Sequence, residues 1–223
     1  SFEPRRPPNI EDPDKFINKG VTYAVRSKST YENKDVFIFG GGDSALDWCV
    51  ELAKKAKSLS LVHRRDAFRG AQHTEEQMRE LVSAGKVKLL TPYLINSIEG
   101  SDKVTGVSLK NFDTNEIEHY EADELLFLFG LNKKLGPILE WNIDLNGKKI
   151  SVNTENFQTS VEGIFAVGDI NDYPGKLDLI LSGFHETTLA VQEAYKRLYP
   201  GERVPFGYTT SNSKLQEKLG VKK

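Results

Sequence analysis

The stretch "VFIFGGGDSALDW", Val36 to Trp48, constrains the fold of this chain more than any other. Val36 to Phe39 is a short run of β-branched and aromatic residues, which suits a buried strand. Glycines end it, and a helical pattern follows from Asp43 to about Lys57. Gly40, Gly42 and Ala45 fit the spacing GxGxxG/A. In that spacing the first glycine permits a tight turn, the second lets backbone approach a pyrophosphate, and the small third residue lets helix and strand pack closely. Gly41, Asp43 and Ser44 fall at the helix start, where unpaired amides and the helix dipole favour an anion. Asp43 also suits an N-cap. An ordinary glycine turn can carry the same string. The flanking strand, the amphipathic helix and a second strand, "SLSLVH" at Ser58 to His63, supply the context that a dinucleotide site requires.

The end of that second strand bears on which dinucleotide is held. A free ribose 2′-hydroxyl calls for an acidic residue there, and a 2′-phosphate calls for arginine, whose planar fork matches phosphate oxygens. The sequence reads "VHRRDAFR", placing His63, Arg64, Arg65 and Arg69 at this point. A solvated basic loop is the plain alternative, but the spacing from the glycine turn favours NADPH. Asp66, following the arginines, is expected to orient one of them.

Downstream, "TEEQMRELVSA" at Thr74 to Ala84 reads as a helix, with Thr74 and Gln77 spaced as a capping box. Short strands follow between Lys86 and Gly130: "KVKLL", "YLINSIE", "VTGVSLKN", "EIEHYEA" and "ELLFLFG". Strands alternating with helices predict a parallel sheet, the later strands an antiparallel layer beside it, and the last can rejoin the sheet. Beyond Gly130 a second unit is expected, with "KKISVN", then "EGIFAVGDI" as a strand and its turn, then a helix over Leu181–Leu198. The first residues, rich in closely spaced prolines, read as an extended connector.

The composition, 38% hydrophobic and 28% charged over 223 residues, can supply cores for two modest domains. The longest apolar run, Leu125 to Phe129, is far short of the ~20 residues of a membrane span, and no secretory leader is expected. A formal charge of −2 gives no basic field to recruit nucleic acid. One cysteine, Cys49, can form neither an internal disulfide nor a CxxC pair. A reducing cytoplasmic setting is expected, with redox chemistry supplied by a bound cofactor. His73 and His119 are scattered, and no metal site is indicated.

"GGGDSA" followed by "HRRDAFR" resembles the NADPH domain of the thioredoxin-reductase-like flavoproteins, and "EGIFAVGDI" at Glu162 to Ile170 strengthens the likeness. The resemblance implies FAD as a second cofactor, with Asp169, between Gly168 and Ile170, hydrogen-bonding the ribityl chain from the end of a strand. The thioredoxin reductases carry a CxxC pair just before the NADPH glycine turn, whereas Gly20 to Val36 holds no cysteine here. The chain therefore resembles the ferredoxin (flavodoxin)–NADP reductases of this type, to which "PGKLDLILSGF" and "FGYTTSN" are also similar. That subfamily implies an aromatic ring stacked on the flavin, with Tyr208 as the candidate. It also implies hydride transfer from NADPH to FAD and single electrons passed on to ferredoxin or flavodoxin, with no side chain acting as acid or base.

The fold expected is α/β: a Rossmann-like three-layer NADPH-binding domain over 12–130, plus the C-terminal part of a second, FAD-binding Rossmann-like domain over 131–223. Residues 1–11 are expected to be a linker or crossing strand. Crossings are placed at Arg5 to Pro8 and Leu131 to Lys134, with Gly130 beside the cofactor. The family opens with a FAD-binding half bearing its own glycine turn, and this chain has one such turn, so it reads as a C-terminal portion. The full-length protein is expected to be a homodimer. Lys133, Lys134, Lys148 and Lys149 are candidates for attracting an acidic ferredoxin, and His185 for touching flavin. The alternatives are a catalytically inert NADP(H)-binding fragment and, less favoured, a disulfide reductase.

Overall fold

The computed structural model describes residues 2–204, 207 and 212–221, and the chain divides into compact units over 2–132 and from 133 onward. In the first unit, β1 (Phe2–Pro4) and β2 (Val21–Thr22) precede β3 (Asp35–Phe39), helix α1 (Asp43–Leu52), β4 (Ser58–Val62), helix α2 (Gln72–Ser83) and β5 (Lys88–Leu90). Next come β6 (Tyr93–Glu99), β7 (Gly106–Asn111), β8 (Ile117–Glu121) and β9 (Glu124–Phe127), and β10 (Leu131–Lys133) pairs with β1. The main sheet has order β2-β9-β3-β4-β5, and every pair in it is parallel. β6, β7 and β8 form an antiparallel sheet.

Residue alternation along β3 explains the three layers. Successive side chains of a strand point to opposite faces. Val36 and Ile38 pack with Leu46, Cys49 and Leu52 of α1 and Met78 of α2. Phe37 and Phe39 face the other way, among Ile95, Val107, Leu109 and Phe127. A central strand apolar on both faces is what a sheet covered on both sides demands. The "ELLFLFG" segment does rejoin the parallel sheet, as β9 beside β3.

Three local expectations are corrected. Helix α1 stops at Leu52 rather than near Lys57, because the amides of Lys57 and Ser58 both bond the Lys34 carbonyl and so set β4 in register with β3. The N-cap of α1 is Gly42, not Asp43; the Asp43 carboxylate instead accepts the Ala71 amide at 2.8 Å, the position where α2 begins. Thr74 therefore lies inside α2 and no capping box forms. A tertiary contact has displaced a local signal.

In the second unit, β11 (Leu145–Asn146), β12 (Lys149–Ser151) and β13 (Asn171–Asp172) form a small mixed sheet, followed by α3 (Ile180–Leu198) and α4 (Ser213–Lys218). Its core gathers Leu135, Ile143, Ile150 and Ala166. "EGIFAVGDI" does not form the expected strand: an isolated bridge joins Gln158 to Phe165, and β12 takes its parallel partner beyond the turn, at Asn171. Among the described residues no helix is long and apolar enough to cross a membrane.

Candidate functional site

The glycine turn sits where β3 ends, between the ends of β4 and β9. The Gly40 amide bonds the Val62 carbonyl at 3.2 Å, and the Leu128 amide bonds the Phe39 carbonyl at 2.8 Å. Gly40 has φ +150°, and a Cβ there would lie 2.6 Å from the Leu128 carbonyl oxygen and 3.0 Å from the Ala45 Cβ. A glycine is required on both counts. Ala45 is fully buried, and its small side chain lets α1 lie against the turn. At Gly41 a Cβ would meet the His63 ring at 2.4 Å, whereas at Gly42 it would meet nothing within 4 Å. The space above Gly42, at the first turn of α1, is open.

That opening is a pocket of about 460 Å³ that runs across the sheet ends. Gly40, Gly41, Gly42, Asp43 and Ser44 form its floor, His63, Arg64 and Arg69 lie at the β4 side, and Gly130 lies at the β9 side. Arg65 is exposed on the same loop but does not line the pocket. The loop is tied down by its own backbone: the Arg69 amide bonds the Gly41 carbonyl at 2.7 Å, and the His63 amide bonds the Leu90 carbonyl at 3.0 Å. His63 stacks on Phe68 with ring centroids 5.4 Å apart. Burial, reinforced by the Arg64 and Arg65 charges, holds the His63 imidazole below its usual value, so it is mainly neutral at pH 7.

Asp66 does not orient Arg64 or Arg65. It pairs with Arg79 of α2 at 3.0 Å, and Arg79 is also held by Glu75 at 2.8 Å and lies over Phe68. Among the described residues Arg64, Arg65 and Arg69 have no carboxylate partner. Three exposed guanidinium groups thus stand unneutralised beside a cradle of helix-start amides, an arrangement that can hold phosphate oxygens.

Sequence reasoning missed further lining residues: Arg5, Arg6, Tyr93 and Phe129. The Arg6 guanidinium donates to the Asp14 carboxylate at 2.7–2.9 Å and to the Pro4 carbonyl at 2.8 Å, and lies 4.5 Å from the Tyr23 ring centroid. The adjacent arginines in "EPRRPP" were the available signal.

The second constellation lies within the second unit. Gly168 has φ +77°, Asp169 is exposed with no hydrogen bond to its carboxylate among the described residues, and Ile170 packs on the small core. Behind this turn stands Glu186, fully buried. It accepts from the Gly168 amide at 2.6 Å, from Asn171 Nδ2 and the Tyr173 hydroxyl at 2.9 Å, and from Lys176 Nζ, itself 3% exposed. Burial alone would raise this carboxyl, but Lys176, the Gly168 amide, Tyr173 and Asn171 together hold it below the usual glutamate value. His185, its neighbour on α3, is exposed and is not at the helix start. Gly183 lets α3 approach the turn, since a Cβ there would sit 3.4 Å from the Gly168 Cα. Tyr208 lies outside the described residues.

Lys133 and Lys149, two of the candidate lysines, both reach Asp178. Lys133 donates to the Asp169 carbonyl at 2.6 Å and pairs with Asp178 at 3.3 Å, and Lys149 pairs with Asp178 at 2.8 Å. Cys49 is fully buried, and burial pushes its thiol up to about 12.

A family model described as pyridine nucleotide-disulphide oxidoreductase matches residues 2–194. A ferredoxin–NADP reductase of Pelagibacter ubique is 45% identical over 223 residues, covering 100% of this chain and 65% of the relative. A ferredoxin–NADP reductase of Beijerinckia indica is 50% identical over 221 residues, covering 99% of this chain and 63% of the relative. Among solved structures, a Lactococcus lactis thioredoxin reductase in its FR conformation superimposes with a TM-score of 0.73 at 26% identity, covering 86% of this chain and 62% of that one. The chain thus spans less than two thirds of the length of these similar proteins.

Proposed function

Because the chain belongs to the pyridine nucleotide-disulphide oxidoreductase family, we propose that its first unit is the NADPH-binding part of a flavoprotein ferredoxin–NADP reductase. The observation that carries this reading is the pocket itself: a glycine cradle at a helix start, with Arg64 and Arg69 lining it and no carboxylate among the described residues taking up their charge. In this reading the amides of Gly42, Asp43 and Ser44 take the pyrophosphate, while Arg64, Arg65 and Arg69 take the 2′-phosphate. The neutral His63 ring and Phe68 form an apolar wall beside them.

The second unit fits FAD in part. The Asp169 carboxylate is free to accept from ribityl hydroxyls, and Glu186 holds its turn rigid from behind. The pyrophosphate of FAD has no second glycine turn in this sequence. When bound, NADPH supplies hydride and FAD divides it into single electrons. The chain's own residues bind, orient and exclude water, and none serves as acid or base. Ferredoxin as acceptor is supported by the names of the relatives. Flavodoxin as an alternative acceptor and a homodimeric full-length protein rest on the resemblance, and a cytoplasmic location rests on the single cysteine of the sequence. A dithiol relay is disfavoured, since Cys49 is the sole cysteine and is buried.

Titrating the chain with NADPH and with NADH, followed by nicotinamide fluorescence, is the direct test. NADPH should bind at least about tenfold more tightly, and equal affinities would overturn the 2′-phosphate assignment. The solitary glycine turn favours one further reading, a fragment that binds NADP(H) and catalyses nothing. A visible spectrum showing stoichiometric FAD on the purified chain would count against it.

A further inference from the structure

The pocket is charged at both ends, and the second end has no role in the reading above. The glycine turn lies between β4 and β9, so a dinucleotide whose 2′-phosphate is at Arg64 and whose pyrophosphate lies over the start of α1 must direct its other nucleoside toward the β9 end. There the wall is formed by Leu128, Phe129 and Gly130, with Arg5 and Arg6 from the segment after β1. The two arginines are not equivalent. Arg6 is neutralised by Asp14 and held over the Tyr23 ring. Arg5 is anchored by its amide on the Gly130 carbonyl at 3.0 Å and by Nε on Asn132 Oδ1 at 3.1 Å. Among the described residues nothing accepts from its two terminal guanidinium nitrogens, and no carboxylate pairs with it.

An arginine fixed at its backbone and at Nε, lining the pocket with both terminal nitrogens unengaged among the described residues, is suited to a phosphate. We propose that Arg5 donates to the second phosphate of the pyrophosphate, the one attached to the nicotinamide ribose. The first phosphate lies on the amides of α1. This inference rests on the NADPH reading of the pocket and adds a residue that serves both nicotinamide cofactors alike, unlike Arg64 and Arg65, which distinguish them.

The test measures, on the full 223-residue chain and its Arg5→Ala variant, the affinities for NADPH, NADH, 2′-phospho-ADP-ribose and 2′,5′-ADP by calorimetry. The first three carry both phosphates, and 2′,5′-ADP ends at the first. Arg5→Ala should weaken the first three by a common factor of about ten and leave 2′,5′-ADP unchanged, which also shows that the variant is folded. Unchanged NADPH affinity in the variant, or a parallel loss for 2′,5′-ADP, overturns the assignment of Arg5 while leaving the NADPH reading intact. Failure of the unaltered chain to bind either NADPH or 2′,5′-ADP overturns that reading and this inference together.

Discussion

The turn at Gly40 and the turn at Gly168 both depend on a glycine with positive φ, and both follow extended chain, yet they manage charge in opposite ways. Beside Gly40, three arginines stand in solvent with no acid among the described residues to meet them, Asp66 having been drawn off to Arg79. Behind Gly168, a carboxylate and an ammonium are sealed together: Glu186 is fully buried, and the Lys176 side chain is 3% exposed. Charge left unpaired at a pocket is available to a ligand. Charge paired and buried fixes the shape of the loop that surrounds it. The first region is built to be completed, and the second is already complete.

The largest effect expected from this contrast is at Glu186. Glu186→Ala leaves Lys176 buried without its partner and should cost about 3–5 kcal/mol, read as a large fall in the Tm of the second unit. The same carboxyl sets an acid limit. Its folded value is held below the unfolded one, so its contribution to stability is fully present above about pH 4.5 and is lost as pH falls through the depressed folded value. Urea midpoints measured between pH 7 and pH 3 should show this decline in the unaltered protein and a shallower one in Glu186→Gln. An identical pH dependence in both would break the comparison at its second member.

The next effect is at the first turn. Arg64→Ala or Arg65→Ala removes charge-assisted contacts of about 1.5–3 kcal/mol each, so NADPH should bind about tenfold or more weakly while NADH is nearly unaffected. The Tm should barely move, because these side chains have no carboxylate partner among the described residues to lose. Equal loss for both cofactors would refute the assignment. The smallest effect is at Thr74. Since α2 begins at Gln72, Thr74→Ala should change stability by less than about 0.5 kcal/mol, where loss of a true cap would cost about 1 kcal/mol.

What could be read from the sequence was what depends on short-range order. The β3 strand, the glycine spacing and the basic loop lie within about one βαβ unit, and residue alternation with turn chemistry is enough to find them. What could not be read depended on partners distant along the chain. Asp43 looks like a cap until Ala71, 28 residues away, takes its carboxylate. Asp66 looks like an orienting group for its neighbours until α2 brings Arg79 within reach. Glu186 and Lys176 look like two ordinary surface charges, and only the folded turn between them shows that both are buried. "EGIFAVGDI" carries strand propensity, but a strand also needs a hydrogen-bonded neighbour, and pairing with β12 begins after the turn.

The bond from the Arg69 amide to the Gly41 carbonyl has a consequence for how this site could change over time. It joins main chain to main chain, as does the bond from the His63 amide to Leu90, so these anchors of the basic loop make no use of the arginine side chains it displays. Residues 64, 65 and 69 are therefore interchangeable fittings on a fixed shelf. Exchanging them could redirect the pocket from one nicotinamide cofactor to the other without refolding the protein, in a laboratory or over the course of evolution.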